Sequence, residues 1–225
     1  MKFVSPDSAR AIILFAYDDI RPLEGLHVID FGSAIADRYA FSLPPTREQM
    51  LDQNHNAIFS DGKVKDSDGL VPVRELTIGR GGMAVVAATT DHCDRFLKDF
   101  FGWLESHFRF RNLDQVQPPI YLSSIAVEFD APIERHIRVL GKIVALFNNS
   151  MKEQRGEDLG FRLRRLAIGR DPGELPASKA IADFLIETRE GWPHHPNRYY
   201  CFGPATTNGL TALMEEFEKI ITSEE

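Results

Sequence analysis

Leu76-Thr77-Ile78-Gly79-Arg80, then Ala88-Thr89-Thr90-Asp91 and an apolar helical pattern reaching Leu104, decides how this chain is read, because its parts recur. Further on, Leu166-Ala167-Ile168-Gly169-Arg170 is followed by Ala205-Thr206-Thr207-Asn208 and another apolar helical pattern. With Asp91 set on Asn208, Cys93 falls on Leu210, Phe96 on Leu213, Leu97 on Met214, Phe100 on Phe217, Trp103 on Ile220 and Leu104 on Ile221. The match points to an internal duplication of a strand-hairpin-helix unit. The segments between the matched motifs differ greatly in length, so chance similarity of two capped amphipathic helices stands as the alternative.

Around the first motif the spacing predicts a hairpin: a strand over residues 73–78, a turn at 79–82 and a returning strand over 83–88. Thr90 or Asp91 is expected to cap a helix reaching about Phe108, with Phe96, Phe100, Trp103, Leu104, His107 and Phe108 as its stripe. Upstream, residues 11–17 read as a buried strand, and 26–31 and 39–43 as further strands around a helical turn at 32–38. Thr46 and Gln49 have capping-box spacing before a short helix. Residues 54–69 are polar and read as a loop.

In the second half, residues 120–129 read as a long strand with Ile125, Val127 and Phe129 on one face. Asp130-Ala131-Pro132 starts a second long helix carrying Ile133, Ile137, Leu140, Val144 and Phe147, which weakens at Asn148-Asn149-Ser150. A charged loop over 152–159 precedes strands at 161–168, 180–188 and 198–202, and a final helix spans 208–221. The expected fold class is α+β: a two-layer, mainly antiparallel sheet covered by long amphipathic helices. Its halves, residues 1–114 and 115–225, form one pseudo-symmetric domain in which a ligand would lie in the groove between them.

Two cysteines make no disulfide framework, and no uncharged apolar run is long enough to span a bilayer, so a cytoplasmic protein with no membrane association is expected. The net charge of -7 argues against general affinity for nucleic acid or anionic membranes. The charge is uneven, however. Residues 134–170 carry nine Lys or Arg against four acids, leaving the rest of the chain more acidic still.

Three stretches carry candidate chemistry. Trp192, His194, His195, Arg198 and Tyr199 form an aromatic and cationic loop suited to contacting a protein or ligand. His194, His195 and Cys201 are weak metal-ligand candidates without a fourth ligand at a persuasive spacing. Val64 to Glu75 mimics a calcium loop, but Val64 occupies its first ligand position and Pro72 breaks its geometry, so a solvated turn is the better reading. Arg155, Arg162, Arg164, Arg165 and Arg170 form a basic strip able to bind phosphates, with Arg162 and Arg164 on one strand face. Pairing with an acidic strand bearing Asp183 and Glu187 is the simpler reading of that strip.

No nucleophile elbow, dinucleotide fingerprint, phosphate loop or paired-cysteine redox motif occurs, and no cofactor is implied. The expectation is a non-catalytic interaction subunit that binds another protein or self-associates as a homo-oligomer. The alternatives are nucleic-acid binding through the arginines, and a small-molecule site or enzyme between the halves.

Overall fold

The computed structural model describes residues 1–15, 27–51, 56–66, 69–110, 113, 116–157, 160–169, 182–188 and 197–223. The fold is α+β, with the described strands in an eight-stranded antiparallel sheet of order β2-β3-β4-β1-β5-β8-β7-β6. These are β1 (Lys2–Leu14), β2 (Ala57–Asp66), β3 (Gly69–Gly79), β4 (Gly82–Ala87), β5 (Ile120–Glu128), β6 (Arg165–Ile168), β7 (Phe184–Glu187) and β8 (Arg198–Gly203). The helices are α1 (Val28–Arg38), α2 (Arg47–Leu51), α3 (Thr90–Phe108), α4 (Ile133–His136), α5 (Arg138–Arg155) and α6 (Thr207–Ser223). Two compact units divide the chain: Asp7–Ser123, and Met1–Pro6 with Ser124–Glu225.

In the unit Asp7–Ser123, small residues on the sheet meet large ones on α3. Ala9 pairs with Ala87, Ala11 with Val85 and Ile13 with Met83, and all six are buried. This low surface lets Cys93 bring its Sγ to 3.6 Å from the carbonyls of Ala9 and Val85. Phe96 and Phe100 stack at 5.6 Å on the same helix. The cap of α3 is Thr89, not the expected Thr90 or Asp91: its side chain accepts from the His92 N–H. Thr206 Oγ1 accepts from the Gly209 N–H at the start of α6 in the same way. Both caps precede a buried threonine, Thr90 and Thr207.

Residues 26–31 were expected as a strand, but those from Val28 belong to α1 and Leu26 lies outside the described residues. The apolar positions Phe31, Ile35, Ala36 and Tyr39 follow a helical repeat, and Gly32 admits the Met50 side chain where a Cβ would stand. Residues 39–43 form no strand; they meet β2 through the Leu43–Ser60 bridge and through single backbone bonds of Tyr39 to Lys63 and of Ser42 to Asp61. The capping box at α2 forms as its spacing predicts: Gln49 N–H donates to Thr46 Oγ1 at 3.3 Å, and Gln49 Oε1 accepts from Thr46 N–H at 2.9 Å.

The segment read as a loop over 54–69 contains β2, paired along its length with β3. Its pattern is concealed by a change of phase. Phe59 is buried at an odd position, and Gly62 and Val64 at even ones, with Asp61 between them in the left-handed region at φ 57°. Beside it, β3 shifts register between Val73 and Glu75, so Val73 and Leu76 are both buried. Neither strand shows one uninterrupted alternation. The calcium-like segment lies in this hairpin, where Val64 pairs with Val71.

In the other unit, Ile125, Val127, Phe129 and Ile133 form a core with Ile186, Tyr199, Cys201, Leu210 and Met214. The buried Glu218 accepts from the Asp130 N–H at 2.9 Å and pairs with the Met1 ammonium. The second long helix is in fact two. It breaks at Ile137 (φ -92°, ψ 86°) and continues through Asn148-Asn149-Ser150 to Arg155, so residues 152–155 of the expected charged loop are helical. The strand expected over 161–168 is confined to β6.

The hairpin turn supplies a stability test. Gly82 has φ 148°, a region reserved for glycine, and a methyl there would collide with the Ile13 carbonyl oxygen. Gly82→Ala is therefore expected to lower the urea-unfolding free energy by at least about 2 kcal/mol. Gly81→Ala, where an added Cβ meets nothing within 4 Å, should stay within about 0.5 kcal/mol of the parent.

Candidate interaction face

Helix α5 is closed at its C-terminus and exposes one apolar side. Gly156, at φ 73°, closes its C-terminus by donating to the Lys152 carbonyl at 2.9 Å. Asn148, a poor residue for a helix interior, acts as a tether: its amide donates to the Phe161 carbonyl at 2.8 Å and accepts from the Phe161 N–H at 2.6 Å. Ile133, before the break, is in the core, where its N–H donates to Tyr199 Oη at 3.1 Å.

After the break, α5 carries Val139, Ile143, Leu146 and Phe147 at 66%, 44%, 66% and 57% exposure. Their spacing places them on one stripe of an α-helix. Arg138 and Lys142 flank the stripe and are exposed, and no described residue of α5 is buried. Ile137, Leu140, Val144 and Met151 are half-buried on another side, so the apolar surface of α5 is covered only in part. Helix α6 behaves differently on its two sides. Leu210, Met214, Glu218 and Ile221 are buried, whereas Leu213 and Ile220 are 46% and 54% exposed.

The other unit shows how a matching helix is covered. Tyr39, following α1, lies buried with its ring centroid 4.8 Å from that of Phe96 and 6.0 Å from that of Trp103 on α3. Arg38 Nη2 donates to both Asp99 carboxylate oxygens at 3.0 Å, and Tyr39 Oη donates to Oδ2 at 2.8 Å. The Arg38 guanidinium also lies 5.2 Å from the Trp103 ring centroid. Burial, and then the Asp99 carboxylate, push the Tyr39 hydroxyl pKa up from its ordinary value of 10.0. It stays protonated and donating.

The sequence-based candidates scatter. Trp192, His194, His195 and Arg170 lie outside the described residues. Tyr199 is buried in the core, with its ring 5.4 Å from Phe129. Arg198 is half-buried, and its Nη2 donates to Glu128 Oε2 at 3.1 Å. Arg155 ends α5, Arg162 and Arg164 precede β6 and so share no strand face, and Arg165 pairs across the ladder with Glu187 at 3.6 Å. Among the described residues, no three of His, Cys, Asp and Glu gather closely enough to hold a metal ion. Among them, too, no helix is long and apolar enough to cross a membrane.

The residues that sequence reasoning passed over are those of the α5 stripe. Of these only Phe147 stood in the expected pattern of Ile133, Ile137, Leu140, Val144 and Phe147; Val139, Ile143 and Leu146 fall outside it, while Leu140 and Val144 are half-buried. The break at Ile137 separates the buried turn from the exposed one. No family model and no curated protein matches this chain.

Both thiols are free and buried, and burial pushes each up to about 12 from 9.0. A folded-state pKa raised in this way favours the protonated fold. Its contribution is complete below about pH 9 and is lost as pH rises from there toward 12. Unfolding stability should fall above pH 9, and Cys201→Ala should flatten the slope by about 1.4 kcal/mol per pH unit. Denaturant titrations at several alkaline pH values measure this. A second test addresses the α1–α3 contact: Asp99→Ala should cost about 1–2 kcal/mol by urea unfolding, reduced from a fully buried case because Arg38 and Asp99 are partly solvated.

Proposed function

We propose that this chain is a non-catalytic interaction or assembly subunit that uses α5 to bind another protein or a copy of itself. The carrying observation is the stripe of Val139, Ile143, Leu146 and Phe147, exposed on a capped 18-residue helix and bordered by Arg138 and Lys142. Scattered apolar residues on a surface need no explanation, but a helix-spaced row of four does. Helix-in-groove recognition reads such a row through anchors at i, i+4, i+7 and i+8. Arginine at the rim of an apolar patch is also the composition of contact surfaces.

The cytoplasm suits this reading, since both cysteines are free thiols with no disulfide between them. The repeated motif suits an architecture in which two related units have diverged, one closed by its own α1 and one presenting a helix outward.

The test is a double substitution, Ile143→Glu with Leu146→Glu, at two positions that bury little. The folded spectrum and melting temperature should be retained. A binding partner recovered from the source cells with the parent chain, or self-association seen by sedimentation, should be lost. If the same proteins are recovered with both forms and their masses agree, α5 is not the contact face.

A further inference from the structure

Resting on the reading of α5 as a contact face, we propose that its occupant is a second copy of this chain, whose α6 receives α5 as α3 receives the α1 segment within the other unit. The duplicated motif supplies the template. With Asp91 set on Asn208, Phe96, Asp99 and Trp103 of α3 correspond to Leu213, Glu216 and Ile220 of α6. On α3 these three positions are engaged by Tyr39 and Arg38: rings cover Phe96 and Trp103, and a guanidinium holds Asp99. On α6 the same three positions are exposed, and Glu216 pairs with Lys219 of its own helix at 3.3 Å.

What α6 lacks, α5 presents. It offers an apolar stripe to lie on Leu213 and Ile220, and beside that stripe Lys142 or Arg138 to take the place of Arg38 opposite Glu216. The acidic rim of α6, Glu215 and Glu216, complements the basic rim of α5. A reciprocal contact covers both stripes at once, which is the self-complementary pattern of a twofold dimer. An anionic membrane or nucleic acid would satisfy α5 alone, leave Leu213 and Ile220 in water, and face a chain of net charge -7.

Sedimentation of the full chain over a concentration series provides the first measurement. The parent is expected to reach twice its 25.4 kDa mass. Ile143→Glu with Leu146→Glu, and separately Leu213→Glu with Ile220→Glu, should each remain monomeric while folded. Lys142→Glu should weaken dimerisation about tenfold, and adding Glu216→Lys to it should recover most of that loss, as for a pair that meets across the contact. Site-specific crosslinking gives an independent readout. A mixture of Leu146→Cys and Leu213→Cys chains should form a disulfide-linked heterodimer on mild oxidation, against a background in which Cys93 and Cys201 are buried.

A parent that stays monomeric up to its solubility limit overturns the proposal. So does a dimer that responds to the α5 substitutions and ignores those on α6; in that outcome α5 stands as a contact face with a different occupant. A dimer indifferent to both sets overturns this inference and the reading beneath it.

Discussion

The unit Asp7–Ser123 depends on the closeness with which α3 approaches β1 and β4. Alanines at 9, 11 and 87 leave the sheet surface low, and Cys93 settles onto it with its sulfur against two strand carbonyls. That contact sets the height of the helix, and Phe96, Phe100 and Leu104 then fill the space along its length. The far side of α3 would still expose Trp103 and the edges of the phenylalanines. Tyr39 and Arg38 cover them, with Asp99 joining the phenol and the guanidinium in one network. Apolar burial and a few directed polar bonds cooperate here, the bonds fixing a geometry whose stabilisation comes mainly from excluded water.

The second unit uses the same kind of helix start and the same alternation on its last strand, yet stops short of the second covering layer. β4 and β8 both bury every other residue, and Thr89 and Thr206 cap the helices that follow them. Leu210, Met214 and Ile221 are buried as Cys93, Leu97 and Leu104 are. The matched positions that differ, Leu213 and Ile220, are those facing away from the sheet. At these two matched positions α3 is covered within its own unit and α6 is exposed.

How much of this was legible follows from where local chemistry acts alone. The β3–β4 hairpin and the capping box of Thr46 and Gln49 depend on residues within a few positions of one another, and both could be read directly. β2 could not, because Asp61 enters the left-handed region and shifts the burial phase between Phe59 and Val64. The caps were misplaced by one or two positions because Thr89, Thr90 and Asp91 are all competent acceptors, and only packing makes Thr90 the buried one. The strand face expected for Arg162 and Arg164 was misplaced in the same way. Spacing put Arg162 and Arg164 on a strand, whereas the ladder with β7 begins only at Arg165.

The candidate face exposes a deeper limit of periodicity. An amphipathic pattern reports that a helix has an apolar side and is silent on what covers it. Ile133 and Phe147 belong to one arithmetic series, yet one is in the core and the other is in water, because the chain turns at Ile137. Burying a valine, leucine, isoleucine or phenylalanine side chain contributes about 1.5–3 kcal/mol. Four such residues on α5 are thus a large quantity beside the roughly 5–15 kcal/mol that separates a folded domain from its unfolded chain. A helix of this composition standing in solvent forgoes that stabilisation while its backbone ordering must still be offset. The proposed contact would recover it without disturbing the core, because Ile133, Tyr199 and Leu210 already belong to one buried cluster. The same break that hides the stripe from a sequence pattern leaves Val139, Ile143, Leu146 and Phe147 exposed.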